Sequence, residues 1–247
     1  MRPMKTFQLK FKSSKDLTPN TKHLAFVRED GMDLEFVPGQ FITFLFNTED
    51  KIKRRSYSIA SIPGATQEIE IAISYIQDGI ASETLFNLTP DTCLTCSGPF
   101  GRLIMRETDQ PQRFVLVATG TGVSPYRSML PQITQRLKEN KQLKIILLLG
   151  VQYRHDLLYA QDFIDFAKTQ PRFEFRAYLS RDTLQEAKSY EYQGYVQSAF
   201  PELALNPDDD LVYLCGNPNM IDDAFTWLGE QGFSPHSVRR EKYISSN

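Results

Sequence analysis

The sequence has few cysteines, no long apolar run and almost no net charge. Only three cysteines occur in 247 residues, and a two-iron iron–sulfur centre normally takes four thiolates, so the chain cannot carry its own cluster on cysteines alone. The longest apolar run, residues 145–149, is far too short to cross a bilayer. A formal net charge of −2 gives no reason to expect a nucleic acid as partner. The first residues also lack the apolar run of a signal peptide, so we expect a cytoplasmic protein that binds no membrane.

Cys93 and Cys96 have a spacing that occurs in redox and zinc sites. They lie within residues 92–96, which alternate like a strand, and residues three apart on a strand face opposite sides. We therefore expect both cysteines to be structural. The three histidines are scattered without ligand spacing, so we predict no metal site.

Residues 1–105 are predicted to form the first of two domains, since 247 residues are enough for two cores. Short apolar or alternating runs at 23–27, 41–46, 56–60 and 68–75 are separated by turn residues. One segment, 83–88, looks helical, with Ser82 as its N-cap. Many short strands at close spacing predict a small antiparallel β-barrel, and a polar stretch containing Pro111 marks its end.

Residues 106–247 are predicted to form an α/β domain. Continuous apolar runs at 114–118 and 144–149 are typical of strands buried on both faces. Further strands are expected at 173–179 and 211–215, and helices at 125–139, 157–168 and 221–231. Strands that alternate with helices predict a parallel sheet with crossover connections.

Arg55-Ser56-Tyr57-Ser58 is the most informative segment of the chain. An arginine can pair bidentately with a phosphate, a tyrosine can lay its face against a planar ring system, and a serine can donate a hydrogen bond to a ring nitrogen. Together they favour a site for a flavin dinucleotide.

Three turns before helices are candidates for phosphate binding. They are Gly120-Thr121-Gly122, Gly79-Ile80-Ala81-Ser82 and Cys215-Gly216-Asn217, and backbone amides at a helix start favour an anion. Each could instead be a plain turn or cap. Pro125 stands where the dinucleotide fingerprint has its third glycine, which disfavours a standard Rossmann site. Thr121 and Cys215 follow two predicted parallel strands, so they could face one cleft.

In their order and spacing these segments resemble the ferredoxin–NADP reductase family from about Pro38 to Tyr243. The segments that carry the resemblance are Pro38-Gly39-Gln40-Phe41, Arg55-Ser56-Tyr57-Ser58, Gly79-Ile80-Ala81-Ser82, Gly98-Pro99-Phe100-Gly101, Gly120-Thr121-Gly122-Val123-Ser124-Pro125 and Cys215-Gly216-Asn217-Pro218-Asn219-Met220. The resemblance implies an FAD-binding antiparallel β-barrel followed by an α/β parallel-sheet domain for a nicotinamide nucleotide.

The resemblance also implies roles for individual residues. Arg55 would hold the FAD pyrophosphate with Ser82 and the amides of Ile80 and Ala81. Tyr57 would pack against the isoalloxazine, and Ser58 would hydrogen-bond near its N5. The nicotinamide nucleotide would lie beside Thr121, Gly122 and Gly216, with Cys215 near the nicotinamide C4.

Three further segments bear on the nucleotide and the flavin. Tyr243 resembles the family's terminal aromatic residue, which covers the other flavin face until nicotinamide displaces it. Glu241 resembles a carboxylate that relays a proton or supports the charge-transfer complex. Four residues, 244–247, follow Tyr243, whereas the plant-type pattern ends at the aromatic residue. The alternative interpretation of this C-terminal segment is a solvated tail that contains a tyrosine by chance. Ser180-Arg181 resembles the pair that binds the 2′-phosphate in NADP-using relatives, although NADH-linked relatives share the other motifs.

The resemblance implies a monomeric flavoenzyme that transfers a hydride from NADPH to FAD and then single electrons to ferredoxin or flavodoxin. Ser58, Cys215, Glu241 and Tyr243 would surround the hydride path. One alternative is the NADH-dependent reductase component of an oxygenase system. Another is a non-catalytic flavin- or nucleotide-binding subunit, which would not need such groups around a hydride path.

Overall fold

A computed structural model describes residues 6–243, and backbone contacts divide the chain into two compact units. The first unit runs to Ile104 and also contains Ser124–Met129. The second contains Met105–Val123 and the chain from Leu130 onward. Ser124–Met129 therefore belongs to the first unit by its contacts, although its sequence position falls in the range expected for the second domain.

The first unit is a six-stranded antiparallel barrel. Its strands are β1 (Thr6–Thr18), β2 (Thr21–Arg28), β3 (Phe41–Asn47), β4 (Ile52–Ser58), β5 (Ile69–Ser74) and β6 (Cys93–Phe100). They lie in the order β4-β3-β6-β1-β2-β5, and a bridge between Ile59 and Ile71 joins the two ends of this sheet. Phe26 and Phe44 fill the interior with their rings 5.4 Å apart. On β6, Cys93 is exposed and Cys96 is buried, as expected for residues three apart on a strand.

The helix α1 (Ile80–Phe86) begins earlier than the sequence predicts. Gly79 is its N-cap, and Glu83 donates the first helical hydrogen bond to the Gly79 carbonyl at 2.9 Å. The prediction that Ser82 caps this helix is therefore wrong. Ser82 lies within the first turn of the helix, and its hydroxyl accepts a hydrogen bond from the Ile76 amide at 2.8 Å. The hydroxyl therefore stabilises the loop before the helix instead of capping the helix.

The second unit is a parallel sheet with helices. Its strands are β7 (Arg113–Thr119), β8 (Lys144–Val151), β9 (Phe173–Leu179), β10 (Glu191–Gln193), β11 (Asp210–Gly216) and β12 (Val238–Lys242), in the order β10-β9-β8-β7-β11-β12. Every pair of neighbouring strands is parallel. The helices are α3 (Leu130–Glu139), α4 (Ala160–Thr169), α5 (Ala199–Leu203) and α6 (Pro218–Glu230). The predicted fold class, an antiparallel barrel followed by a parallel α/β sheet, is confirmed.

The helix predicted over residues 125–139 is divided into two. A short helix, α2 (Ser124–Ser128), ends before Met129, and α3 begins at Leu130. Pro131 explains the break, because proline has no backbone N–H to continue the helical ladder but fits the first turn of a new helix. Among the described residues, no helix has the length and apolar character to cross a membrane, and none of their His, Cys, Asp and Glu side chains gather in threes around a metal position.

Candidate functional site

Arg55 and Tyr57 lie on one face of β4, because alternate residues of a strand share a face. Their partners on β3 are Phe44 and Ile42, and the Phe44 ring meets the Tyr57 ring edge-on at 5.9 Å. Burial raises the pKa of the Tyr57 phenol, with the Arg55 charge acting in the opposite direction, so this side chain stays neutral at physiological pH. Ser58 ends the strand and is only 3% exposed. The face therefore presents a guanidinium beside an aromatic ring.

The start of α1 supplies backbone donors in the same unit. Just beyond Ser58, the bridge at Ile59 joins the chain to β5, the strand that precedes α1. The amides of Ile80 and Ala81 come before the first helical hydrogen bond and so point out of the helix end. The first unit therefore contains a guanidinium and helix-end amides, which are donors that suit a pyrophosphate, and an aromatic ring that suits a planar ring system.

Arg127 of α2 is a residue that sequence reasoning missed. Its guanidinium donates to the Ala60 carbonyl at 2.7 Å and to the Glu70 carboxylate at 2.6 Å, and His23 lies 3.7 Å from the same carboxylate. Burial works to raise the pKa of Glu70, but the hydrogen bonds from His23 and Arg127 outweigh it and hold that pKa below its ordinary value. This network fixes the backbone immediately after the Arg55–Ser58 segment.

In the second unit, the carboxyl ends of β7 and β11 approach each other closely. A Cβ added to Gly122 would lie 2.6 Å from the carbonyl carbon of Cys215, and one added to Gly216 would lie 2.6 Å from the carbonyl oxygen of Thr119. Gly216 also has a φ of +123°, which side chains rarely adopt. Both glycines are therefore required by backbone packing, before any ligand is considered.

Thr119 is a second residue that the sequence did not reveal. Its hydroxyl accepts a hydrogen bond from the Asn217 amide at 2.9 Å. The Asn217 side chain in turn caps α6 by accepting from the amides of Asn219 and Met220. The turn that carries Thr121, Gly120–Val123, is thus linked to the strand end that carries Cys215.

Cys215, Glu241 and Tyr243 come together at this edge. Cys215 is opposite Glu241 in the β11–β12 register, and the Tyr243 amide donates to the Gly216 carbonyl at 2.8 Å. The pKa of the fully buried Cys215 thiol is raised well above its usual range, first by burial and then by the Glu241 charge, while a side-chain hydrogen bond with Tyr243 acts in the opposite direction. The thiol is therefore neutral at physiological pH and is not a nucleophile. Residues 244–247, which follow Tyr243, lie outside the described residues.

Ser180 and Arg181 follow β9 at the same edge of the sheet. Ser180 donates to the Val151 carbonyl through its amide at 3.0 Å and its hydroxyl at 3.2 Å. The Arg181 amide donates to the Gln152 carbonyl at 2.9 Å, and its side chain is exposed. Because β9 and β11 are three strand spacings apart, roughly 14 Å separates Arg181 from the Cys215 group. A nucleotide extended along this edge could reach both.

Arg154 and Glu191 form an ion pair beside this turn, and neither was singled out from the sequence. Arg154 Nε and Nη2 each donate to one Glu191 oxygen at 2.8 Å. Burial works to raise the pKa of Glu191, but hydrogen bonds from Arg154 and the Lys188 amide outweigh it and lower that pKa. Glu191 is therefore a carboxylate.

Comparisons with known proteins agree with this division of binding chemistry. Two family models match, one described as an oxidoreductase FAD-binding domain over residues 8–104 and one as an oxidoreductase NAD-binding domain over residues 116–225. Ferredoxin–NADP reductase B of Sorangium cellulosum is 30% identical over 245 residues, which cover 96% of this chain and 97% of that protein. The toluate 1,2-dioxygenase electron transfer component of Pseudomonas putida is 27% identical over 241 residues, or 97% of this chain and 68% of that protein.

A solved structure extends the comparison to the fold. The ferredoxin NADP+ reductase from Neisseria gonorrhoeae with bound FAD and NADP superposes with a TM-score of 0.81 at 22% sequence identity, covering 97% of this chain and 99% of that one. Since both domain types match and a relative at 30% identity is matched over nearly its whole length, this chain is a flavin-dependent oxidoreductase that binds FAD and a nicotinamide nucleotide, and it belongs to the ferredoxin–NADP reductase family.

Proposed function

We propose that this protein transfers a hydride from NADPH to FAD and passes the electrons singly to ferredoxin or flavodoxin, acting as a monomer in the cytoplasm. Each turnover would convert one NADPH into NADP+ and one proton and would reduce two carrier molecules by one electron each. The observation that carries the proposal is the edge of the parallel sheet, where the Cys215–Glu241–Tyr243 group and the exposed Arg181 lie three strands apart. The domain limits 1–105 and 106–247 are part of the same proposal.

The first unit would bind FAD. Arg55, the Ile80 and Ala81 amides and Ser82 would hold its pyrophosphate, while Tyr57 would pack against the ring system. When bound, FAD supplies the redox chemistry, accepting electrons in pairs and releasing them singly. The Ser58 hydroxyl would orient the ring and adjust the electron demand at N5 by hydrogen bonding.

The second unit would bind and orient the nicotinamide nucleotide. Thr121, Gly122 and Gly216 would line its path. Cys215 is a neutral thiol of small volume that would set the distance of approach to the nicotinamide C4 without bonding to it. Glu241 would hold or relay a proton, and Tyr243 would cover the ring face until the nicotinamide takes its place.

The choice of NADPH rests on Ser180 and Arg181. An exposed guanidinium can pair bidentately with a phosphate monoester, and Ser180 would add a hydrogen bond. The name of the Sorangium relative supports this choice.

The second candidate is an NADH-dependent reductase component of an oxygenase. Relatives named as electron transfer components of toluate and anthranilate dioxygenases support it. The ion pair between Arg154 and Glu191 also supports it, because this second cation near Arg181 is already bound to a carboxylate.

An anaerobic titration of the FAD-loaded protein tests the proposal. Separate samples are titrated with NADPH and NADH while the flavin absorbance is followed. Bleaching at much lower NADPH than NADH is the expected result. A preference for NADH would support the oxygenase component, and no bleaching with either nucleotide would leave the non-catalytic subunit. Stoichiometric reduction of ferredoxin or flavodoxin by NADPH would then test the acceptor.

A further inference from the structure

The segments that carry Arg154 and Arg181 lie side by side. They follow β8 and β9, whose last residues, Val151 and Leu179, are partners in the parallel register. Beyond the strands, the Arg181 amide donates to the Gln152 carbonyl at 2.9 Å, and the Arg154 amide donates to the Asp182 carboxylate at 2.8 Å. The backbone therefore brings two arginines to the end of the sheet edge where a ribose phosphate would bind.

The Arg154 guanidinium already binds a carboxylate. Arg154 uses Nε and Nη2, the fork that matches a carboxylate or a phosphate, to bind both oxygens of Glu191 at 2.8 Å. The Glu191 side chain has no exposed surface, and one of its oxygens also accepts the Lys188 amide at 2.9 Å. The Arg154 side chain is 37% exposed, and its fork is filled by a carboxylate.

We propose that Glu191 masks Arg154 and thereby limits how strongly this site prefers a nucleotide with a phosphate monoester on the adenosine ribose. The inference rests on the proposed nicotinamide-nucleotide site at this edge. A phosphate that reached Arg154 would have to displace a carboxylate from its fork, and the carboxylate would repel the dianion. Arg181 then supplies the discrimination between nucleotides with and without this phosphate. Glu191 determines how strong that discrimination is, because it keeps Arg154 from binding the phosphate.

The masking makes a prediction that a purely structural role for Glu191 does not make. If Glu191 only supported the 181–190 segment, its loss would weaken every adenine nucleotide to a similar degree. If it masks Arg154, replacing its charge should strengthen binding of the phosphorylated ligand alone. The quantity to measure is therefore the ratio of dissociation constants for 5′-AMP and adenosine 2′,5′-bisphosphate.

Isothermal titration of the full-length, FAD-loaded protein with these two ligands gives that ratio. Glu191→Gln should raise it about tenfold, the size of one charge-assisted hydrogen bond. The matched control is Glu186→Gln, the same change at an exposed position of the 181–190 segment, and it should leave the ratio unchanged. The gain should also be lost in the double variant Arg154→Gln/Glu191→Gln, because it depends on the released guanidinium.

A second variant keeps the test independent of how well Glu191→Gln folds. Arg154→Lys retains a positive charge beside Glu191 but removes the fork, and the ratio should stay within about twofold of the original. A tenfold fall would show that Arg154 already reads the phosphate and would overturn the inference.

The remaining outcomes separate this inference from the proposed function. Binding of both ligands with an unchanged ratio in Glu191→Gln, or an equal loss of both, would overturn the masking and leave the nucleotide site standing. Failure of the unsubstituted protein to bind either ligand would overturn the nucleotide site and the inference with it.

Discussion

Replacing Gly122 by alanine should damage the reaction more than it damages the fold. The added Cβ would lie 2.6 Å from the Cys215 carbonyl carbon and 2.8 Å from the Gly216 Cα, and still closer to the Cys215 carbonyl oxygen. Since ordinary contacts begin near 3.4 Å, the carbonyl carbon must retreat by the difference between 3.4 and 2.6 Å, about 0.8 Å. All of the nearest atoms are backbone, so no side-chain rotation can relieve the overlap.

Two magnitudes follow from this displacement. Overpacking of a tightly packed site typically costs about 1–3 kcal/mol of unfolding free energy. The reaction should suffer more, because a shift of about 1 Å at a reacting centre can lower a rate about a hundredfold. Gly122→Ala moves the strand end that carries Cys215 by nearly that amount. We therefore expect a folded protein whose flavin is reduced about a hundredfold more slowly by NADPH.

The measurement is stopped-flow reduction of the FAD-loaded protein, with denaturant unfolding of the same samples. Gly31→Ala, in the turn after β2 and outside the candidate site, is the matched control: its φ of +70° strains an alanine, at about 1–2 kcal/mol, but a Cβ there meets nothing within 4 Å. The control should lose similar stability and keep its reduction rate. A rate for Gly122→Ala within twofold of the original, or an equal loss of rate in Gly31→Ala, would refute the steric argument.

Three further predictions test the other parts of the site. Arg181→Ala should weaken NADPH binding about 10–100-fold, the size of a charge-assisted phosphate contact, and should change NADH binding little. Equal weakening of both nucleotides would remove the 2′-phosphate assignment. Arg106→Ala, a change at another exposed arginine, serves as the control. Ser58→Ala should retain FAD but slow its reduction about tenfold, as expected for one lost hydrogen bond, and unchanged stopped-flow kinetics would contradict that role. Glu70→Gln should lower stability at pH 7, because the folded-state pKa of Glu70 is depressed below 4.5. That contribution is present above the unfolded pKa and is lost as the pH falls through the folded value, so the deficit in denaturant unfolding should shrink between pH 7 and pH 3.5; a constant deficit would contradict the ion-pair explanation.

Features set by local chemistry could be predicted from the sequence. Strands buried on both faces, such as residues 114–118, consist of continuous apolar runs. Residues that follow parallel strands of one sheet lie at the same edge of that sheet. That reasoning predicts that Thr121 and Cys215 lie at the same edge without requiring the strand order. The resemblance added Glu241 and Tyr243, which the structure places beside Cys215.

Strands with little apolar content could not be predicted in the same way. β12 (Val238–Lys242) is an edge strand that pairs only with β11 among the described strands. Val238 is its one buried residue, and the other four residues are all charged. The second half of β1 (Thr6–Thr18) is likewise exposed and polar. Such strands are specified by their partners, since backbone hydrogen bonding does not require apolar side chains.

Pairs that depend on strand order were also beyond the sequence. Gly122 looked like part of a phosphate-binding turn, whereas its lack of a side chain is required by Cys215, which is distant along the chain but adjacent because β7 and β11 are neighbours. Thr119 bonds to a residue 98 positions away, and Arg154 to one 37 positions away. Neither partner is implied by the local pattern.

The two ends of this sheet edge are held by different kinds of interaction, and that difference has a functional consequence. Around Cys215, backbone packs directly on backbone at Gly122 and Gly216. Almost any substitution of these two glycines therefore displaces Cys215, the residue proposed to approach the nicotinamide. Around Arg181, the backbone is held by one hydrogen bond to Gln152, while the local charge depends on the Arg154–Glu191 side-chain pair. Side-chain charge can therefore change at residue 191 without moving the backbone at Cys215. For this reason NADPH and NADH preference should be adjustable by substitution at one end of the edge with little effect on the rate of hydride transfer at the other.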